Sequence, residues 1–153
     1  MHHIQPWLYI GKVRETSDRS IMYGYQIGAI LQLAYPAQHP GIESLFIDVD
    51  DGIPLPAASL QQGMSFARVQ KAAGKKLVIG CGAGVSRSVT FTMALLHEEE
   101  GIGLMEAYEQ IVAVHPDAMP HYELIKSLGE YYGDLAATKA LLARIWLMDT
   151  PDI

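Results

Sequence analysis

A short apolar run, Leu77-Val78-Ile79, leads into Gly80-Cys81-Gly82-Ala83-Gly84-Val85-Ser86-Arg87-Ser88, and a helix-like pattern (Val89, Phe91, Met93, Ala94, Leu95, Leu96) begins at once. The segment carries the chain's only cysteine, an arginine and two serines. Strand, glycine-rich turn and helix start form an anion-binding arrangement. First-turn amides have no intrahelical partner, and the macrodipole favours negative charge there. Small residues at Gly82, Ala83 and Gly84 let the backbone curl so that successive amides face one concavity. Arg87 adds a planar fork suited to two phosphate oxygens. The same field acts on Cys81: a thiol of ordinary pKa, about 8.5, is acidified by a helix N-terminus and a neighbouring arginine. Cys81 is therefore expected as a thiolate nucleophile aimed at a phosphoryl group held by residues 82–87. Ser88 is placed to donate to the sulfur and help it leave in a second step.

Two other glycine-loop chemistries fit less well. A dinucleotide-binding turn needs glycine at 80, 82 and 85, but position 85 is valine. Its acidic residue about twenty positions on would be Glu99 or Glu100, at a helix end instead of a strand end. A Walker-type loop fails because no Gly-Lys-Ser/Thr follows.

The elements that must position this loop are legible in outline. Trp7 to Gly11, Ala29 to Leu33 and Ser44 to Val49 read as strands, the last running into Asp48, Asp50 and Asp51. Thr16 to Tyr23 reads as a short helix with Thr16 or Ser17 as its cap. Apolar spacing predicts helices over 56–73, 86–100 and 104–114, a further one from Pro120 to Tyr132, and a last one over 134–148 capped by Asp134. Leu135, Leu142, Ile145 and Trp146 of the last helix are expected to pack on the domain. Strands in the first half with helices between and after them imply a single α/β domain over 1–153, a central mostly parallel sheet of four to five strands flanked by helices.

Composition narrows the class. The 153 residues are half hydrophobic, enough for one sizeable core. A formal net charge of −6 argues against a nucleic-acid backbone as partner. One cysteine excludes an internal disulfide and a cysteine-rich zinc site. The six histidines (His2, His3, His39, His97, His115, His121) show no ligand spacing and read as surface or packing residues, so neither metal nor cofactor is expected. Neither a signal-peptide pattern nor a membrane-length apolar run is present, and a soluble cytoplasmic protein, monomeric by default, is expected.

Cys81-Gly82-Ala83-Gly84-Val85-Ser86-Arg87-Ser88 resembles the Cys-x5-Arg-Ser signature of the cysteine-dependent protein tyrosine phosphatases, and Ala83-Gly84 with Ser86-Arg87-Ser88 is similar to the dual-specificity branch in particular. The resemblance covers roughly Trp7 to Tyr132, including Leu8-Tyr9-Ile10-Gly11, Pro116 and Met119-Pro120-His121. It implies a metal-independent hydrolase that forms a phosphocysteine intermediate on phosphorylated proteins or small phosphate esters, phosphotyrosine first and phosphoserine or phosphothreonine next. It also implies a general acid on a separate loop. Ile47-Asp48-Val49-Asp50-Asp51 matches that loop and places Asp51 thirty residues before Cys81, with Asp50 and Asp48 as neighbours. The family usually has histidine immediately before the nucleophile, where it orders the loop; this chain has Gly80. That departure keeps a second expectation alive, a catalytically weak or inactive phosphate-binding module, beside a third, a phosphatase for a non-protein ester.

Overall fold

The computed structural model describes residues 1–149. Its centre is a five-stranded sheet built from β1 (His2–Gln5), β2 (Leu8–Lys12), β3 (Ile27–Gln32), β4 (Glu43–Phe46) and β5 (Lys76–Cys81). The spatial order is β1-β2-β5-β3-β4. Only β1 runs antiparallel; β2, β3 and β4 are parallel with β5 or with each other. β5, flanked on both sides, is the fully paired middle strand, and all but its first residue are buried.

Strand parity assigns the two faces. Leu8, Ile10, Ala29, Leu31, Leu77, Ile79 and Cys81 point into the large core. Tyr9, Ile30 and Val78 point the other way, into a small cluster with Met22 and Ile27. Five helices belong to the larger side: α3 (Ala57–Ala72), α4 (Arg87–Glu100), α5 (Leu104–Val114), α6 (Tyr122–Tyr132) and α7 (Leu135–Trp146). α4 is the central one, with every residue from Ser88 to Leu96 buried. Each fully buried leucine or phenylalanine there contributes about 1.5–3 kcal/mol relative to exposure. The opposite face is covered by two short helices, α1 (Val13–Thr16) and α2 (Arg19–Gly24).

Several boundaries depart from the sequence reading. The helix expected over Thr16 to Tyr23 is split: Thr16 ends α1 with its side chain buried, and Asp18 caps α2 by accepting from the Ser20 and Ile21 amides at 2.9 and 3.3 Å. A carboxylate there outcompetes the expected Thr16 and Ser17 hydroxyls because it can take both amides. The strand expected over Ser44 to Val49 ends its ladder at Phe46, although Ile47 N and Val49 N still donate to Gln32 O and Leu33 O at 2.9 and 3.0 Å. α6 begins at Tyr122, two residues after Pro120, because the His121 ring accepts from Glu123 N at 3.1 Å. β1 was not anticipated at all; His-His-Ile-Gln has no apolar alternation and is held by pairing with β2.

α7 packs on the domain through Thr138, Leu141 and Leu142, and Trp146 Nε1 donates to Pro120 O at 2.9 Å. Its contact with α6 is very close. A methyl group at Gly129 would lie 1.6 Å from Thr138 Oγ1.

Candidate active site

The turn after β5 is shaped by where its carbonyls go. Gly82 O accepts from Val13 N at 2.9 Å, Val85 O from Met119 N at 2.8 Å, and Ser86 O from Thr90 N at 2.9 Å. Gly84 O accepts from the His115 ring nitrogen Nε2 at 2.8 Å. In a trans peptide the N–H of the next residue points opposite to the carbonyl. Four outward carbonyls therefore turn the amides of Ala83, Val85, Ser86 and Arg87 toward the inside of the loop. Gly84 makes the curl possible: its φ is +74°, and a Cβ there would sit 3.2 Å from Gly11 O.

Cys81 and Ser88 close the base of this cradle. Both are buried, and the thiol donates to Ser88 Oγ at 3.3 Å. With the sulfur ionised the same contact reverses, and the hydroxyl becomes the donor to the thiolate. Ser88 is held from below, where its carbonyl accepts from Thr92 Oγ1 at 2.7 Å.

Arg87 spans the loop it belongs to. Its Nη1 donates to Val49 O at 3.0 Å, and its Nη2 lies 3.5 Å from where a Cβ on Gly82 would sit. The guanidinium is thus anchored at one end while arching over the cradle, which is the placement a phosphate clamp requires. The Tyr35 ring lies on the same side, 3.4 Å from that Gly82 position, and is 56% exposed.

Asp51 reaches the cradle through Ser86, which has a second task beside presenting its amide. Ser86 stands at the N-cap of α4 but makes no side-chain cap bond to its own helix. Its hydroxyl instead donates to Asp51 Oδ1 at 2.6 Å and accepts from His121 N at 2.9 Å. The first-turn amides of α4 are left without a side-chain cap, and the acid-bearing loop is tied to the cradle's rim. Asp48, Asp50 and Asp51 are all exposed, and among the described residues Asp51 is the one of the three bonded to the loop.

Gly80 has a steric explanation. It pairs with Gly11 of β2 and faces the small side of the sheet, where Thr16 of α1 is seated. The Thr16 methyl would lie 3.0 Å from a Cβ on either glycine, and Thr16 is only 2% exposed. A plug from α1 fills the space a larger residue 80 would occupy.

The structure therefore brings together Cys81, Gly82, Ala83, Gly84, Val85, Ser86, Arg87, Ser88 and Asp51, drawn from two loops. The sequence places His115 among surface or packing residues and Thr16 at a helix cap; the grip of His115 on Gly84 O, the seat of Thr16 under Gly80 and the tether role of Ser86 come from the structure. The segment from Pro116 to His121 shares the family resemblance, but nothing in the residue types of this region says that the His115 ring grips Gly84 O and that the His121 backbone N–H donates to Ser86 Oγ.

Comparison with known proteins agrees with this geometry. The family model described as the dual specificity phosphatase catalytic domain matches residues 8–134. Dual specificity protein phosphatase 5 of Rattus norvegicus is 27% identical over 136 residues, covering 86% of this chain and 35% of that protein. Dual specificity protein phosphatase 16 of Homo sapiens is 27% identical over 133 residues, covering 84% and 20% respectively. The chain thus spans about a third or less of the length of these two relatives. In three dimensions it is similar to human DUSP28, with a TM-score of 0.81, 21% identity and coverage of 90% of this chain and 99% of that one. The structure of DUSP15 gives a TM-score of 0.78 at 23% identity, covering 96% and 95%. With a cradle of the signature's length and most of its residues inside the family model, this chain belongs to the dual specificity phosphatase catalytic domain family.

Proposed function

We propose that this chain hydrolyses phosphate monoesters through a phosphocysteine intermediate. The observation that carries the reading is the Ser86–Asp51 hydrogen bond, 2.6 Å, which joins an acid from a separate loop to the rim of the anion cradle. Cys81 Sγ attacks phosphorus, forming the S–P bond as the P–O bond to the leaving group breaks. Amides of residues 82–87 and the Arg87 fork hold the three peripheral oxygens, where charge collects. Asp51 gives its proton to the departing oxygen; Ser86 engages Oδ1, leaving Oδ2 for that proton. Water then attacks phosphorus, Asp51 takes a proton from it, and the S–P bond breaks with the Ser88 hydroxyl donating to the sulfur. Inorganic phosphate leaves and the enzyme returns to its starting protonation state.

A phosphorylated protein is the substrate this reading favours, with phosphotyrosine ahead of phosphoserine and phosphothreonine. The exposed Tyr35 ring beside Gly82 supports an aryl ester, since aromatic pairs add about 0.5–1.5 kcal/mol. A single reduced cysteine as nucleophile suits a reducing compartment, the cytoplasm.

The test is Cys81→Ser assayed with an aryl phosphate and with orthovanadate. Turnover is expected to vanish while vanadate still binds; substantial residual hydrolysis in that variant would sink the scheme. Asp51→Asn is expected to slow alkyl phosphates more than aryl phosphates, and an equal loss on both would move the acid to Asp48 or Asp50. A phosphopeptide panel, with Cys81→Ser as substrate trap, ranks the side chains.

A further inference from the structure

We propose that His115 is a positioning residue for the phosphate cradle: its neutral ring, protonated on Nε2, holds the Gly84–Val85 peptide so that the Val85 amide faces the phosphate. This rests on the cradle being a phosphate site, as proposed above.

A carbonyl oxygen only accepts, so the 2.8 Å contact between His115 Nε2 and Gly84 O places the proton on Nε2. The other nitrogen, Nδ1, is buried and has no partner. A proton there would be a buried donor without an acceptor, a costly arrangement. One tautomer therefore fits the site. The ring is held in place from three directions. Its backbone N–H donates to Ile111 O at 2.8 Å and its carbonyl accepts from Ala118 N at 3.0 Å. Its face stacks on the His2 ring of β1 at 3.7 Å between centroids and an 18° tilt. The side chain is 3% exposed.

Gly84 is the position where such a grip matters. The carbonyls of Gly82, Val85 and Ser86 are taken by main-chain N–H groups, which the fold supplies whatever the side chains are. Gly84 O is taken by a side chain. Gly84 is also the loop residue with positive φ, +74°, and glycine crosses between left- and right-handed regions at little cost. Without a donor on its carbonyl, this peptide is free to rotate, and rotation carries the Val85 amide out of the cradle. Histidine at 115 thus does from the C-cap of α5 what a residue inside the loop cannot do: it fixes the most permissive peptide from outside.

The experiment compares His115→Leu, which removes the donor but keeps apolar bulk, with His115→Gln, whose amide N–H can donate. Orthovanadate dissociation constants and kcat and KM on an aryl phosphate are measured beside thermal melts. His115→Leu is expected to weaken vanadate binding and lower kcat/KM by about fivefold, the worth of one hydrogen bond. His115→Gln is expected to recover most of both. Vanadate binding within twofold of the unsubstituted protein in a folded Leu variant would overturn the proposal, as would a Gln variant no better than Leu. Nitrogen-15 NMR of the unsubstituted protein keeps the proposal testable where a variant does not fold: the expected ring carries its proton on Nε2, and an Nδ1–H tautomer refutes it. If the unsubstituted protein binds no vanadate and hydrolyses nothing, the phosphatase reading fails instead, which is a distinct outcome.

Discussion

Replacing Gly80 by histidine installs the residue that the family signature usually carries, but Thr16 occupies the space it would need. Position 80 faces α1, and its first added carbon would already lie 3.0 Å from the Thr16 methyl and 3.6 Å from Gly11 O. An imidazole must go further in the same direction, so Thr16 has to leave a site in which it is 2% exposed. Its hydroxyl would also lose Val13 O at 3.3 Å. Overpacking of this kind costs about 1–3 kcal/mol. For a chain of this length each kcal/mol lowers the melting temperature by roughly 2–4 °C, so Gly80→His should melt about 2–12 °C lower. Gly80→Ala should cost less, since only a methyl must give way. The decisive measurement is a double-mutant cycle by urea unfolding with Thr16→Ala, which removes both the methyl and the hydroxyl. If Thr16 is the obstacle, Gly80→His should be less destabilising in the Thr16→Ala background by about 1 kcal/mol or more. A Gly80→His variant as stable as the parent, or an unchanged penalty in that background, would refute the plug argument.

Three further outcomes follow from other contacts. Ser86→Ala removes the tether on Asp51 and the acceptor for His121 N, so hydrolysis of alkyl phosphates should fall by about tenfold and that of good leaving groups much less; equal losses would mean that Ser86 does not place the acid. Gly129→Ala puts a methyl 1.6 Å from Thr138 Oγ1 and should lower the melting temperature by roughly 5 °C, with Thr138→Ala relieving part of the loss; a neutral Gly129→Ala would contradict the α6–α7 packing. Burial first, and then its hydrogen bond to Glu98, raise the Tyr132 pKa above the ordinary value of 10.0. The folded chain therefore keeps this proton where the unfolded chain loses it: the contribution is whole below pH 10.0 and declines as pH rises above it. Urea midpoints between about pH 8 and 11 should fall less steeply in Tyr132→Phe, and parallel slopes would remove Tyr132 from the account.

The chemistry that was legible without a structure is the chemistry packed into one short segment. Cys81, Arg87 and Ser88 lie within a strand, a turn and the first turn of a helix, so their spacing alone sets which groups can meet. The start of the last helix at Asp134 was legible for the same reason, since a cap acts on neighbours in the chain. Asp51 was singled out only by its match to the family's acid loop, thirty residues before Cys81, because residue type does not separate it from Asp48 and Asp50 beside it. The physical ground for that choice is tertiary: the parallel order β5-β3-β4 brings the chain after β4 to the same edge of the sheet as the end of β5, and there Ser86 bonds Asp51. Thr16 under Gly80, Ser86 turned toward Asp51 instead of capping α4, and His115 on Gly84 O are contacts between segments far apart in sequence. Residue type carries no record of such partners, because a threonine plug and a histidine clamp use ordinary residues whose task is defined by what the fold sets against them. Sequence by itself determined a thiol, a guanidinium and a glycine turn suited to phosphate. Tertiary structure decided which peptide faces inward, which acid is near, and why glycine precedes the nucleophile.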